Sequence, residues 1–236
     1  MSPPDPPAPD GPEARERAVR SGPRQGYGYG RYMAILALLI IALVALNTAF
    51  STPHGASGIE PGRPLPPFAV PLATGNVNGD ANVATRAGEG AAGRLPACAV
   101  RGPQILNVCQ LYEAGPVVLA LVVDSGSCPA ILGDLQAIAP SFPGVRFAGV
   151  AIKGERAALR ALIRRQGLSL PLGIDRDGAL AAIYRVASCP QVTFAYPGGV
   201  VQSPALLSRP SRARLRARVS GLLAATRARQ QRGVAP

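Results

Sequence analysis

The hydrophobic pattern divides the chain into three zones. Residues 33–50 (MAILALLIIALVALNTAF) form one apolar run without a charged side chain. Residues 51–116 show weak periodicity, and from Val117 onward the pattern is that of a layered α/β domain. Val117 to Val123 is a continuous aliphatic run of strand length, the signature of a strand covered on both faces. Ile131, Leu132, Leu135, Ile138 and Ala139 recur at helical spacing, and Pro140 with Pro143-Gly144 ends that helix. Val145 to Ile152 predicts a second strand. A helix from Glu155 to Gln166 follows, with Ala158, Leu159, Leu162 and Ile163 on its inward face and Gly167 as its stop. Leu170 to Ile174 reads as a short strand, Ala179 to Tyr184 as a short helix, and Val192 to Tyr196 with Val200 to Gln202 as a hairpin across Pro197-Gly198-Gly199. A last helix from Arg212 to Arg227 buries Leu215, Val219, Leu222 and Leu223. The order β-α-β-α-β-α-β-β-α specifies an α/β fold with a mixed central sheet and helices on both faces.

The first zones set the organisation. Residues 1–30 hold seven prolines and five glycines among scattered charges, too little apolar surface to offset ordering entropy, and predict a disordered tail. Residues 31–50 predict one transmembrane helix, with Arg31 and Tyr32 at its interface and residues 33–50 in the bilayer. Arg17, Arg20, Arg24 and Arg31 precede it without an acid among them, and the next arginine is Arg63. The N-terminus is therefore expected in the cytoplasm and the rest outside, as a single-pass protein of the cell membrane. A cleaved export signal is the alternative, but the leading region and the apolar run are both long for one, and either reading exports the domain. Residues 51–64 read as a Pro/Gly-rich tether, 65–227 as the folded domain with Phe68-Ala69-Val70 as a short strand, and 228–236 as a disordered tail.

Composition removes several function classes. The formal charge of +12 suggests nucleic acid, yet 24 of the 25 basic residues are arginine in an alanine-rich chain, as a GC-rich coding sequence would produce. The aromatic interleaving of a single-strand binder is missing, so nucleic acid is not an expected partner. The arginines at 209, 212, 214, 216, 218, 227, 229 and 232 read as a solvated outer face of the last helix, with anionic lipid or an acidic partner as the alternative. His54 is the single histidine and the cysteines at 98, 109, 128 and 189 form no Cys-x-x-Cys pair, so neither a zinc site nor a histidine-based triad is expected. Asn76, Asn78, Asp80 and Asn82 alternate like a calcium loop, but Ala81 and Ala87 stand where the turn glycine and bidentate glutamate belong. A polar turn is the expectation, with no metal and no cofactor.

The remaining chemistry lies in the cysteines. Cys128-Pro129 follows the Val117 run directly, and a cysteine at such a strand-to-helix junction has the helix's first N–H groups and positive dipole end available to a thiolate. Cys189-Pro190 opens the final hairpin. Cys98 and Cys109, closing a short loop in an exported domain, suggest a structural disulfide contributing on the order of 3 kcal/mol, or else one of them is a mobile resolving thiol.

Pro66-Pro67-Phe68, Gly115-Pro116-Val117-Val118-Leu119, Cys128-Pro129-Ala130, Asp175-x-Asp177-Gly178-Ala179-Leu180-Ala181, Tyr184-x-Val186 and Pro190 occur in one order. That order resembles the thioredoxin-like redoxins, which comprise membrane-tethered thiol:disulfide oxidoreductases of bacterial envelopes and the related peroxiredoxins. The resemblance spans Leu65 to Leu223 and implies a thioredoxin-like fold with Cys128 as nucleophile. Its partners would be protein thiols or disulfides, or peroxide. Ile131 occupies the position of the usual second cysteine, so dithiol cycling within one turn is closed. The resemblance also implies that Pro190 is a cis-proline facing the active-site turn, which makes Cys189 the candidate resolving thiol. Against the peroxiredoxin pattern P-x-x-x-[TS]-x-x-C, Ser125 and Cys128 match while Leu121 replaces the proline, leaving Ser125 as a candidate peroxide contact. A non-catalytic scaffold with this fold is the competing reading.

Overall fold

The computed structural model describes residues 27–50, 58–89 and 94–233, and within the first helix the side chains of residues 30–43. Met1–His54 and Gly55–Pro236 form separate units. In the first, helix α1 spans Tyr27–Phe50, beginning where the prolines of the tail cease and ending before Pro53. Residues 27–30, expected within the tail, are therefore helical; residues 1–26 lie outside the described residues. Among the described residues no helix is long and apolar enough to cross a membrane. The expected span 33–50 runs into residues 44–50, whose side chains are outside the described set. The structure thus supplies the helix and not the crossing.

The second unit is a five-stranded mixed sheet with a small two-stranded sheet beside it. Strands β1 (Ala69–Pro71) and β2 (Ile105–Asn107) pair antiparallel. Helix α2 (Val108–Ala114) leads into the central strand β3 (Val117–Val123), then α3 (Ala130–Ile138), β4 (Arg146–Ile152), α4 (Arg156–Gln166), β5 (Leu172–Asp175), α5 (Ala179–Ile183), β6 (Gln191–Ala195), β7 (Val201–Leu206) and α6 (Arg212–Gln231). The sheet order is β5-β4-β3-β6-β7, with β3, β4 and β5 parallel and β6 and β7 antiparallel to their neighbours. Alternation along β3 builds two cores. Val118, Ala120 and Val122 meet Ile131, Leu135, Leu159 and Leu215 from α3, α4 and α6. Val117, Leu119 and Leu121 meet Phe68, Val108, Leu180 and Tyr184 on the other face. The continuous aliphatic run is explained by this double coverage.

The periodic elements lie where the sequence places them, and Gly167 ends α4 in the left-handed conformation, φ 58°. Strand β2 and helix α2 were not expected. Three and seven residues are too few to display a period, and α2 is started by Asn107, whose side chain accepts from the N–H groups of Cys109 and Gln110. Helix α6 runs to Gln231, beyond the expected end at Arg227, where Arg229 lies over the Tyr196 ring and Arg232 N–H closes the last turn on the Ala228 and Arg229 carbonyls. Residues 58–64 are not a free tether: Gly62 N–H donates to Val201, Leu65 N–H to Gly199, and Val201 N–H to Arg63. Residues 51–57 lie outside the described residues.

Tyr184 joins the two ends of this face. Fully buried, it stacks edge-on against Phe68 at 5.7 Å and donates its hydroxyl to the Pro66 carbonyl at 2.8 Å. The Asp175–Gly178 turn is equally structural: Asp175 accepts from Gly178 and Leu180 N–H, starting α5, while Asp177 accepts from Ala81 N–H. The 76–82 stretch is a polar turn, its oxygens engaged by arginine. Arg160 donates to Asn76 Oδ1 at 2.8 Å and Arg156 to Asn78 Oδ1 at 3.4 Å, and both guanidinium groups also bind loop carbonyls.

Candidate redox site

The site is assembled at the C-terminal end of β3. Leu121 pairs with Gln191 in the antiparallel β3–β6 ladder, so continuing the register by two residues sets Val123 opposite Cys189. Cys189-Pro190 is a cis peptide bond, Pro190 is buried, and the fully buried Gln191 anchors the start of β6 by donating Nε2 to the Tyr184 carbonyl at 2.9 Å. On the other side, residues 124–127 loop out exposed and the chain re-enters at Cys128. Cys128 N–H donates to Ser125, Ala130 N–H to Ser127, Ile131 N–H to Cys128 and Leu132 N–H to Pro129. Cys128 and Cys189 are joined by a disulfide with Cα atoms 5.4 Å apart, inside the usual range for a bridge.

This arrangement corrects one expectation. The first N–H groups of α3 are consumed by carbonyls of the preceding turn, and the backbone donor that reaches the sulfurs belongs to Val123. Its N–H lies 3.1 Å from Cys189 Sγ and 3.4 Å from Cys128 Sγ. Residue-type reasoning had no means of finding it, since any residue carries that N–H and only the strand register aims it.

No protein-family model matches the chain, and no curated protein does either. Solved structures do. A crystal structure from Chlorobium tepidum, provisionally assigned as the thiol:disulfide interchange protein DsbE, aligns over 70% of this chain and 99% of its own at 14% identity, TM-score 0.53. Peroxidoxin BcpB from Mycobacterium tuberculosis aligns over 72% and 97% at 16% identity, TM-score 0.50. The fold is thioredoxin-like. A solution structure from Bacteroides thetaiotaomicron, provisionally assigned as a protein disulfide isomerase, agrees over 71% and 93% at 15% identity, TM-score 0.51.

Within the thioredoxin-like domain the two cysteines of the pair differ in exposure. Cys128 is 6% exposed and belongs to the core that contains Val122, Ile131 and Val192, whereas Cys189 is exposed. Ile131, at the fourth position of the turn, is fully buried in that core. Ser125 is exposed, and it engages the site through its carbonyl, which accepts from Cys128 N–H at 3.3 Å; its hydroxyl is not among the groups that bond the sulfurs. Leu121 is a fully buried strand residue.

The second disulfide, Cys98–Cys109, also has Cα atoms 5.4 Å apart and sits in a fully bonded frame. Asn107 Nδ2 donates to the carbonyls of Ala97 and Val100 at 2.8 Å each, and its Oδ1 accepts from Cys109 N–H at 2.8 Å. Cys109 is 1% exposed. The 3-10 turn that carries Cys98 and the helix that carries Cys109 are thus tied independently of the sulfurs, the arrangement of a structural bridge, and no cysteine is left free.

The domain also buries two carboxylates, Asp134 and Asp175. Asp134, on α3 beyond the Cys128 turn, is buried and accepts from Arg209 Nε and Arg212 Nε, each at 2.7 Å. Burial pushes its pKa up, but the two guanidinium hydrogen bonds outweigh that and hold it below the ordinary value. Two arginines of the basic run are therefore structural partners. Two more stack on aromatic rings, Arg218 over Phe194 at 5.2 Å and Arg229 over Tyr196 at 4.5 Å. Asp175 moves the other way, to about 6, because of burial first and the hydrogen bond with Asp177 second.

Proposed function

We propose that this protein carries out thiol:disulfide exchange with Cys128 and Cys189 as its working pair. The observation that carries the reading is their disulfide, formed between the β3–α3 turn and the residue before Pro190, with one cysteine buried and the other exposed. A redox pair contributed by two loops replaces the second cysteine that Ile131 displaces from the turn. A dithiol substrate would be oxidised while the pair is reduced, or a substrate disulfide reduced by the dithiol form. Pro190 would shape the surface on which the substrate chain lies.

Incubating the oxidised full-length chain with a reduced dithiol peptide should yield oxidised peptide in proportion to protein. Replacing Cys128 and Cys189 by alanine should abolish the reaction, and replacing Cys98 and Cys109 should leave it. Activity surviving the loss of Cys128 and Cys189 would refute the assignment. Consumption of hydrogen peroxide by the reduced protein, faster than dithiol oxidation, would favour a peroxidase instead.

The domain would work outside the cytoplasm, anchored by residues 33–50. What supports this is the uncharged run itself and the arginines preceding it. Alkaline extraction of membranes checks it: the full chain should stay in the membrane pellet and a chain lacking residues 33–50 should not.

A further inference from the structure

Resting on the exchange reading above, we infer that Cys189, not Cys128, is the sulfur that forms the mixed disulfide with substrate, and that Cys128 is the internal leaving and resolving thiol. This reverses the order expected from the position of Cys128 at the start of a helix.

Access and direction set the order of the two cysteines. Thiolate displacement at a disulfide requires the nucleophile to approach in line with the bond being broken, from the side opposite the leaving sulfur. Cys128 is 6% exposed and belongs to the core cluster that includes Val122, Ile131, Leu132 and Val192, while Cys189 is exposed on a segment that includes the exposed Arg185 and Ala187. A thiolate attacking Cys189 would come from solvent with the buried sulfur behind it. Attack on Cys128 would have to come through the packed core, where a thiolate loses its hydration without compensation.

The leaving sulfur also has a receptor. Val123 N–H is shared by both sulfurs in the oxidised state, at 3.1 Å from Cys189 and 3.4 Å from Cys128. Once the bond to Cys189 breaks and Cys189 turns outward with its new partner, that donor is left to the Cys128 thiolate, which is otherwise in an apolar setting.

The steps balance for a dithiol substrate. One substrate thiolate bonds to Cys189 Sγ, the Cys128–Cys189 bond breaks, and its electron pair leaves on Cys128 Sγ, which takes up a proton. The second substrate thiolate then attacks the substrate sulfur of the mixed disulfide and releases Cys189 as thiolate. The substrate ends as a disulfide and the protein as a dithiol. In reverse, Cys189 attacks a substrate disulfide and Cys128 resolves the adduct.

The test maps the adduct on the unaltered chain. Oxidised full-length protein is mixed with reduced glutathione, quenched with acid during the reaction, alkylated, and digested for mass spectrometry. Glutathione should be found on Cys189 and the alkyl group on Cys128. In the reduced single variants, glutathione disulfide should react with Cys189 of Cys128→Ala at least about tenfold faster than with Cys128 of Cys189→Ala, since access sets the rate. Glutathione on Cys128, or equal rates in the two variants, would overturn the assignment while leaving exchange at this pair intact. An oxidised pair that glutathione does not open in the folded protein, or adducts confined to Cys98 and Cys109, would overturn the exchange reading itself.

Discussion

Replacing Asp134 by asparagine should destabilise the thioredoxin-like domain by about 2–3 kcal/mol at pH 7, a figure that follows from two charge-assisted hydrogen bonds after discount for the exposed arginines. The Asp134 side chain is 3% exposed and each oxygen accepts one guanidinium Nε at 2.7 Å, whereas the side chains of Arg209 and Arg212 are 46% and 64% exposed. Losing the carboxylate therefore strands no buried cation, because both arginines regain water. An asparagine has one acceptor oxygen, so at least one bond is lost and its amide N–H group faces a guanidinium. Arg209→Ala and Arg212→Ala should each cost less, since the buried carboxylate keeps one partner.

The pH dependence supplies a sharper criterion. Asp134 has a folded-state pKa below its unfolded value, so its contribution is complete above the unfolded pKa of about 3.9 and is lost as pH falls through the folded pKa. The stability gap between wild type and Asp134→Asn should stay constant from pH 7 to 5 and narrow below pH ~4. Urea unfolding followed by far-UV circular dichroism measures it, with an expected midpoint shift of about 1–2 M for a domain of this size. A midpoint unchanged at pH 7, or a gap that persists undiminished at pH 3, would show that the two arginines do not hold the carboxylate.

Asp175 predicts the opposite slope. Its folded pKa of about 6 lies above the unfolded value, so its contribution is greatest below the unfolded pKa and is lost as pH rises through about 6. Between pH 5 and 7 this amounts to about 1 kcal/mol, and Asp175→Asn should flatten that segment of the urea-midpoint curve; an unchanged slope would refute it. Tyr184→Phe removes the hydroxyl that satisfies the Pro66 carbonyl while keeping the Phe68 contact, and should cost about 1–2 kcal/mol, read as a lower thermal midpoint. A neutral result would mean that water satisfies that carbonyl. Gly173→Ala would drive a Cβ into Val70 and Leu106 where β5 meets the β1–β2 pair, at a cost of about 1–3 kcal/mol, and wild-type stability in urea would show the pair free to move away.

Several elements were legible before any coordinates. Val117 to Val123 and the spacing of Ile131, Leu132, Leu135 and Ile138 state their structure through local periodicity, because the residues covered on each face are fixed by the geometry of one strand or one helix. The β1–β2 pairing and α2 were not, since Ile105–Asn107 is a three-residue strand whose conformation is imposed by its partner. The basic run from Arg209 was read as a solvated face, yet Arg209 and Arg212 bind a carboxylate some seventy-five residues earlier in the chain. Nothing local to α6 announces that partner.

The same division runs through the candidate site. Residue order alone states which thiols exist: a cysteine after the central strand, an isoleucine in place of the second cysteine of its turn, and a cysteine before Pro190. The pairings Cys128–Cys189 and Cys98–Cys109 were expectations with alternatives open until the fold brought each pair together, and the fold also leaves Cys189 exposed and aims Val123 N–H at both sulfurs of the first pair. Residue identity and spacing encode an element's own faces. The partner of a sulfur, its exposure and the donor beside it depend on the register in which β3 and β6 pair, a relation between segments that neither one carries alone.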